Sequence, residues 1–228
     1  TINGTNDIPV IGGSSSGAVI EAGGVANAVT GTPNASGTVS ITDSDAGQSS
    51  FQAVAPASLA GTYGTFTFYH TTGAWTYVLD NTKAATQALP AGQVVHDTLT
   101  VTSLDGTAPQ VIDLTVTGAN DHASITGTAT GSMTEDLAVT SGNLTTSGTL
   151  TVSDVDTGEA KFQTPATLTG SYGTFTFDTT TGAWTYAANN AQSAIQSLAA
   201  GQTLTDSISV KSFDGTATQA ITVTINGT

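Results

Sequence analysis

The sequence predicts an all-β protein made of two antiparallel β-sandwich domains in tandem. Residues 63–78 alternate aromatic side chains with Thr or Gly, which is the period-two pattern of half-buried strands. The same pattern returns almost unchanged at residues 172–187. In each copy, four residues ending in Gly separate the two arms, as in a hairpin loop. The hairpin is therefore the element around which each domain is built.

The repeat extends over the whole chain. Residues 1–7 match residues 115–121, and the same start returns at residues 224–228, so that the copies follow at a period of about 110 residues. We expect a first repeat at residues 1–117, whose opening residues end the last strand of a preceding repeat. A junction then covers residues 118–121, and a second repeat covers residues 122–228. This phase predicts a segment of a longer array.

Each predicted element follows from local pattern. A Gly/Ser run interrupts the first strand, the Asp105-Gly106 turn joins the last two strands of the first copy, and residues 83–89 are the one helix-like piece. The predicted strands of the first copy are residues 9–11, 18–20, 37–42, 51–54, 61–69, 74–79, 94–103 and 110–117. Those of the second copy are residues 149–153, 162–164, 170–178, 183–187, 206–212 and 219–225. About seven short strands per copy favour the immunoglobulin-like type of sandwich.

The composition excludes several partners and chemistries. Three Lys residues stand against seventeen acids, a formal charge of −14, so neither nucleic acid nor an anionic membrane is an expected partner. No apolar run approaches the roughly 20 residues of a membrane-spanning helix. The absence of Cys excludes disulfides and thiolate metal sites. A strongly acidic chain of this kind suits a cation-rich medium.

The acids keep register between the copies. Twelve of them occupy six repeated positions, although the sequence around them differs. The pairs are Asp7 with Asp121, Glu21 with Glu135, Asp43 with Asp154, Asp45 with Asp156, Asp97 with Asp206, and Asp105 with Asp214. Five acids, Glu159 among them, have no counterpart. Surface acids that only face solvent have no reason to recur in this way.

Strand direction predicts where these acids lie. An extended residue advances about 3.3 Å, so that Glu21 and Asp97 fall at the end of the first sandwich from which the chain leaves. The loop acids Asp154 and Asp156, with Asp214, fall at the entry end of the second. Ca²⁺ takes six to eight hard oxygen ligands, and Asp-x-Asp spacing lets one loop supply two carboxylates. The predicted ligands of a calcium joint are Glu21, Asp97, Asn120, Asp121, Asp154, Asp156 and Asp214. Their counterparts at the entry of the first repeat are Asp7, Asp43, Asp45 and Asp105, where binding is expected to be weak.

The alternative is that these acids are solvated turn residues. Asp105 and Asp214 each precede a Gly, which fits either interpretation.

The repeated hairpin, residues 89–93 (198–202), the Asp-Gly turn and the Asn-Asp boundary together resemble VCBS repeats over the whole chain, twice. That family occurs in tandem arrays of giant bacterial surface proteins, notably RTX-type adhesins exported by type I secretion. The resemblance implies an extracellular, monomeric β-sandwich whose partners are neighbouring repeats. The Asn-Asp boundary with the Asp-x-Asp loop is also similar to the calcium junction of cadherins, which implies that Glu21, Asp121, Asp154 and Asp156 are ligands. At His122-Ala-Ser the sequence departs from the usual boundary.

The sequence favours a non-enzymatic role, a calcium-stiffened segment of an adhesin stalk. His70, His96 and His122 have no counterpart in the other copy, and neighbouring His96 and Asp97 point to opposite faces of a strand, so that no catalytic dyad is predicted. Two alternatives stay open: a module that binds surface glycans, which an exposed Trp75 or Trp184 would favour, and a homotypic adhesion module that pairs with another adhesin through a strand edge.

Overall fold

A computed structural model describes residues 1–228 as two compact units, Thr1–Asp121 and His122–Thr228. Each unit contains seven strands and one single-turn helix, and the rest of the chain is turns and short 3-10 segments. The predicted fold class, two antiparallel β-sandwich domains in tandem, is confirmed.

The first unit is a sandwich of a four-stranded and a three-stranded sheet. Its elements in chain order are β1 (Val10–Gly13), β2 (Ser16–Ile20), β3 (Asn34–Thr42), β4 (Gly64–Tyr69), β5 (Ala74–Leu79), α1 (Ala84–Gln87), β6 (Val94–Thr102) and β7 (Pro109–Thr117). One sheet has the order β1-β3-β5-β4, and the other has the order β2-β7-β6. All pairs are antiparallel except β2 with β7, which is parallel.

The second unit repeats this topology. Its elements are β8 (Ser124–Gly127), β9 (Thr130–Thr134), β10 (Asn143–Ser153), β11 (Thr174–Phe177), β12 (Ala183–Asn189), α2 (Ser193–Gln196), β13 (Thr203–Lys211) and β14 (Thr218–Asn226). The sheets have the orders β8-β10-β12-β11 and β9-β14-β13, and only β9 with β14 is parallel. The short strands β8 and β9 replace the diverged first-strand region, for which the sequence pattern predicts no bounds.

The aromatic residues of the hairpins form the centre of each core. In the first unit Phe66 lies edge-on to Tyr77 with ring centroids 4.8 Å apart, and Phe51 lies edge-on to Phe68 at 5.4 Å. Such edge-to-face pairs are favourable beyond the area that they bury. The second unit has the same pairs, Phe175 with Tyr186 and Phe162 with Phe177. The predicted burial of the alternating aromatic faces is therefore correct.

In each unit the chain crosses from one sheet to the other between its first two strands, and a buried Trp holds this crossing. The indole N–H of Trp75 donates to the carbonyl of Ser14 at 2.8 Å, and that of Trp184 donates to the carbonyl of Thr128 at 2.8 Å. The Trp ring lies directly over a Gly in the neighbouring strand. A Cβ on Gly37 would come within 2.5 Å of the Trp75 ring, so no other residue fits there without movement.

Two predicted strands are wrong. Residues 51–54 and 162–164 alternate as strands do, but each contributes a single bridge, Phe51 to Ser103 and Phe162 to Ser212. Phe51 and Phe162 are buried in the core, while the residues that follow them are largely exposed and run as irregular chain. The alternation thus reflects one buried anchor rather than a paired strand.

Candidate cation-binding sites

At the entry end of the first unit, the loop after β3 brings several acids together. The Asp45 N–H donates to Asp43 Oδ1 at 2.9 Å, an Asx-type turn, and the Asp7 N–H donates to Asp45 Oδ2 at 2.8 Å. The other oxygen of Asp43, Oδ2, is buried and accepts no hydrogen bond. Asp7, Asp43 and Asp45 therefore lie at one end of this unit, as strand direction predicts.

Asp105 closes the same end of the first unit. Its carboxylate accepts hydrogen bonds from the hydroxyls of Ser103 and Thr107 and from the Asn6 side-chain amide, the last at 2.8 Å. These bonds, led by that of Ser103, hold the pKa of Asp105 well below its ordinary value. Asp105 stays ionised, and the Asp-Gly turn and the Asn6 contact account for its position.

The second unit builds the corresponding end with a closer group of acids. The Asp156 N–H donates to Asp154 Oδ1 at 3.0 Å, which repeats the turn of the first unit. Asp214 is held by the hydroxyls of Ser212 and Thr216. Carboxylate oxygens of Asp154, Asp214 and Glu159 all lie within 4.8 Å of one another. Three carboxylates therefore converge from two loops, Asp154 and Glu159 from the loop after β10 and Asp214 from the loop after β13.

The electrostatics of this group are unfavourable without a cation. Burial raises the pKa of Asp154 above its ordinary value. Burial also raises the pKa of Glu159, and repulsion from Asp156, Asp154 and Asp214 adds to that shift. Asp154 Oδ2 and Glu159 Oε2 are shielded from solvent and accept no hydrogen bond. Oxygens of this kind are the ligands that Ca²⁺ prefers, and a cation would relieve both the burial and the repulsion.

Glu159 is absent from the predicted ligand set. The repeat comparison selects acids that recur, and the residue at this place in the first copy is Gln48. The one signal in the sequence is the position of Glu159, three residues beyond the Asp-x-Asp motif in the same loop. Such loop acids are common, so spacing alone does not distinguish it.

The exit end of each unit contains a buried Glu that binds the departing chain. Glu21, which is 1% exposed, accepts from the Ala119 N–H at 3.2 Å and from the Gln87 side chain at 3.0 Å. In the second unit Glu135 Oε1 accepts from the Thr228 N–H at 3.0 Å. Asn120 and Asp121 lie beside residue 24 of the first unit, because the Gly24 N–H donates to the Asn120 carbonyl at 2.7 Å. Glu21, Asn120 and Asp121 thus belong to one end of the first unit.

Asp97, one of the predicted calcium ligands, instead accepts hydrogen bonds within the first unit. Its side chain is buried between the sheets, where it accepts the N–H groups of residues 62, 63 and 64 at 2.8 to 3.1 Å and the hydroxyl of Tyr77 at 2.7 Å. Asp206 repeats this arrangement with residues 171–173 and Tyr186. Burial, and then the bond to the carboxylate, raise the pKa of both Tyr hydroxyls. The Asp thus fixes the turn that enters the hairpin, which explains its recurrence without a metal.

The remaining candidate residues are dispersed. His96 Nδ1 lies 2.8 Å from Asp113 Oδ1 in an exposed pair on β6 and β7, and its neighbour Asp97 faces the core. Trp75 and Trp184 are each 1% exposed, which removes the observation that would favour a glycan platform on these rings. No helix in the structure is both long enough and apolar enough to cross a membrane.

Fold and site together define an all-β chain of two cadherin- or immunoglobulin-like sandwich domains with acids grouped at their ends. Residues 120–227 match the family model of the bacterial cadherin-like domain. This match covers the second unit except for its last residue, and the first unit has the same strand order. A search of curated proteins finds no match.

Among solved structures, the chain is similar to protocadherin gammaB7 EC3–6, described as a cis-dimer, with 14% identity over 97% of this chain and 48% of that one and a TM-score of 0.48. Protocadherin gamma B2 EC1–5 has 14% identity over 96% of this chain and 39% of that one, with a TM-score of 0.49. Titin domains I67–I69 have 10% identity over 96% and 65%, with a TM-score of 0.34. The chain spans half the length or less of the first three structures that it matches.

Proposed function

We propose that this chain is a non-enzymatic structural and adhesive module that binds Ca²⁺ through the acids at the ends of its units. The observation that carries the proposal is the group Asp154, Glu159 and Asp214, whose carboxylate oxygens converge within 4.8 Å while one oxygen of Asp154 and one of Glu159 lack any hydrogen-bond donor. Oxygen ligands of this number and type suit Ca²⁺ with water or backbone carbonyls completing the shell.

The proposed ligands are Asp154, Asp156, Asp214 and Glu159 in the second unit, and Glu21, Asn120 and Asp121 in the first. Asp7, Asp43, Asp45 and Asp105 form the corresponding entry set of the first unit, which we expect to bind more weakly because Gln48 replaces the acid at its Glu159 position. In each set the ion supplies positive charge, and the residues supply the oxygens and hold them in place.

The mechanism that we propose is mechanical. Without a cation the grouped carboxylates repel one another, which loosens the ends of the units and the connection at residues 118–121. With Ca²⁺ bound, the repulsion is neutralised and the acids of each set are held to a common ion, so that the connection stiffens. The resemblance to VCBS repeats supports a place in an extracellular adhesin stalk on a bacterial surface, reached by type I secretion. The absence of Cys is compatible with export as an unfolded chain.

A thermal melt in EDTA and then in calcium tests the proposal. A ligand that binds only the folded state at a hundredfold excess over its Kd stabilises by about 2.7 kcal/mol, a shift of the order of 10 °C for a domain of this size. We expect Asp154→Ala to lose most of the shift in the second unit. Asp113→Asn, which removes an exposed acid on β7 that belongs to neither proposed set, should keep it. If calcium leaves the melting temperature unchanged, the repeated acids are turn and surface residues.

A further inference from the structure

At their entry ends the two units share a backbone contact but carry different side chains on it. In the second unit the Phe213 N–H donates to the Lys161 carbonyl at 2.9 Å. In the first unit the Leu104 N–H donates to the Ser50 carbonyl, also at 2.9 Å. The same place in the fold therefore has a cation beside an aromatic ring in the second unit, and two uncharged residues without a ring in the first.

A third difference between the units accompanies these two. Two residues before Lys161 the second unit has the acid Glu159, and two residues before Ser50 the first unit has Gln48. Glu159 and Lys161 together add no net formal charge relative to Gln48 and Ser50. The second unit thus gains a carboxylate among its grouped acids, and a Lys two residues further on offsets the charge of that carboxylate.

The ammonium group of Lys161 lies over the ring of Phe213. Nζ is 3.9 Å from the ring centroid, a distance at which the negative face of the ring attracts a cation. Phe213 is 46% exposed and is not packed in the core, so burial does not account for an aromatic residue here. An aliphatic side chain such as that of Leu104 offers no such attraction to a cation.

The same ammonium group leaves nearby carboxylate oxygens without a donor. It has three N–H groups to donate, while Glu159 Oε2 and Asp154 Oδ2 accept no hydrogen bond. No ion pair joins Lys161 to either residue. Lys161 nevertheless acts on Glu159, because its charge opposes the rise in the pKa of Glu159 that burial and the neighbouring acids cause. The ring of Phe213 thus holds the cation close to the acids but off these oxygens.

We propose that Lys161 and Phe213 set the calcium affinity of the second unit, Lys161 by lowering it through its charge and Phe213 by keeping the ammonium group off the ligand oxygens. This inference rests on the proposed function, since it concerns the same acids. When the ammonium group leaves the ring, it can donate to Glu159 and Asp154, and Ca²⁺ must then displace it. Lys161 is therefore a tethered competitor of the ion, and the ring limits how strongly it competes.

Titration calorimetry of the full chain with Ca²⁺ tests the role of Lys161. Lys161→Met should raise the affinity about threefold, because a positive charge near a divalent ion opposes its binding even after screening by salt. Lys211→Met is the matched control. It removes the same charge from the same unit, but Lys211 has no ring contact and shifts the pKa of neither Asp154 nor Glu159, so the affinity should change less.

A double-mutant cycle tests the role of Phe213. Phe213→Leu should weaken calcium binding roughly two- to fivefold, because it frees the ammonium group from the ring. In a chain that already carries Lys161→Met, Phe213→Leu should have no effect, since the two residues act through one contact. Phe213→Trp keeps an aromatic face for the cation and should keep the affinity.

Two results would overturn this inference alone: calcium binding that Lys161→Met leaves unchanged, and an effect of Phe213→Leu that is the same with and without Lys161. If the unsubstituted chain binds no calcium, the proposed function and this inference are both overturned. Melting curves in EDTA show whether each variant folds. Leu is expected to fit at residue 213, because the equivalent residue of the first unit is Leu104.

Discussion

Aspartate side chains occur in two different environments in this chain. Asp97 and Asp206 are buried acceptors of backbone N–H groups, whereas Asp154 and its neighbours converge on one another. Both kinds recur between the copies, so register alone cannot separate them. The difference depends on which residues approach each carboxylate from distant parts of the chain, and those contacts follow from the folded topology.

Substitution of Asp97 should lower stability to the same extent with and without calcium. Asp97→Ala leaves three N–H groups and the Tyr77 hydroxyl without their acceptor in a buried site, and we expect a loss of about 3 kcal/mol or more in the first unit. Urea unfolding in EDTA and in calcium measures it. Asp113→Ala, on the exposed face of β7, is the control and should cost less than about 1 kcal/mol. If Asp97→Ala instead removed only the calcium-dependent part of stability, its role would be that of a ligand.

Glu159 should set the difference in calcium affinity between the two entry sets. Glu159→Gln removes one carboxylate from the second unit and should weaken binding there, while Gln48→Glu supplies the acid that the first unit lacks and should strengthen binding there. A carboxylate ligand contributes on the order of tenfold in affinity, because ligand charge tunes the Kd of calcium sites. Titration calorimetry of both variants measures the change. Unaltered affinities in both would place Glu159 outside the shell.

At the scale of elements, the hairpins are predictable and the strands that flank them are less so. Strong alternation with aromatic residues specifies β4, β5, β11 and β12 because one face must be buried. Residues 51–54 alternate too, yet they lack a partner strand beyond the Phe51 bridge. In the second unit β8 and β9 are rich in Ser, Thr and Gly and have almost no apolar pattern; they form because β10 and β14 provide edges to pair with.

Any residue other than Gly at position 73 should destabilise the hairpin turn. Gly73 has φ of 69°, and a Cβ there would lie 1.9 Å from the Val39 carbonyl oxygen. Gly47 also has a positive φ, 82°, but open space around it. Gly47→Ala should therefore cost only the backbone strain, about 1 kcal/mol, and Gly73→Ala should cost several times more because the strands must separate. Chemical denaturation of the two variants distinguishes strain from collision. Equal losses of stability in the two variants would show that the turn can rearrange to accommodate a Cβ at residue 73.

At the scale of the whole molecule, the sequence gives the net charge directly but does not show which acids lie close together in the fold. A formal charge of −14 implies cations, and the repeat register narrows the candidates to six positions in each copy. The structure removes one of these positions and adds Glu159. Neither change can be predicted from the sequence, since both depend on which loops meet at the end of a sandwich.

The pH dependence of stability should differ with and without calcium. Asp154 and Glu159 have raised pKa values, so the folded chain binds their protons more tightly than the unfolded chain does. In EDTA the melting temperature should therefore rise as pH falls from neutral to roughly 5. Further acidification should lower it, because Asp105, Asp136 and Asp178 have lowered pKa values, owing chiefly to hydrogen bonds from Ser103, Asn190 and Thr181.

Bound calcium removes the advantage of protonation, so in calcium the maximum should move towards neutral pH. Melting curves across this range, recorded in EDTA and in calcium, make the comparison. The double variant Asp154→Asn and Glu159→Gln should abolish the rise seen in EDTA. A melting temperature that falls steadily from neutral pH in EDTA would mean that the grouped carboxylates are not destabilising.

The crossing of the chain between sheets also decides how each unit responds to being pulled. Because of that crossing, β2 lies parallel to β7, and β9 lies parallel to β14, each over five residue pairs. These are strands near the two ends of a unit, so a stretching force applied through the ends slides them along each other. The hydrogen bonds between them are then loaded together in shear rather than opened one at a time from an end. Each unit is thereby built to carry tension along the chain.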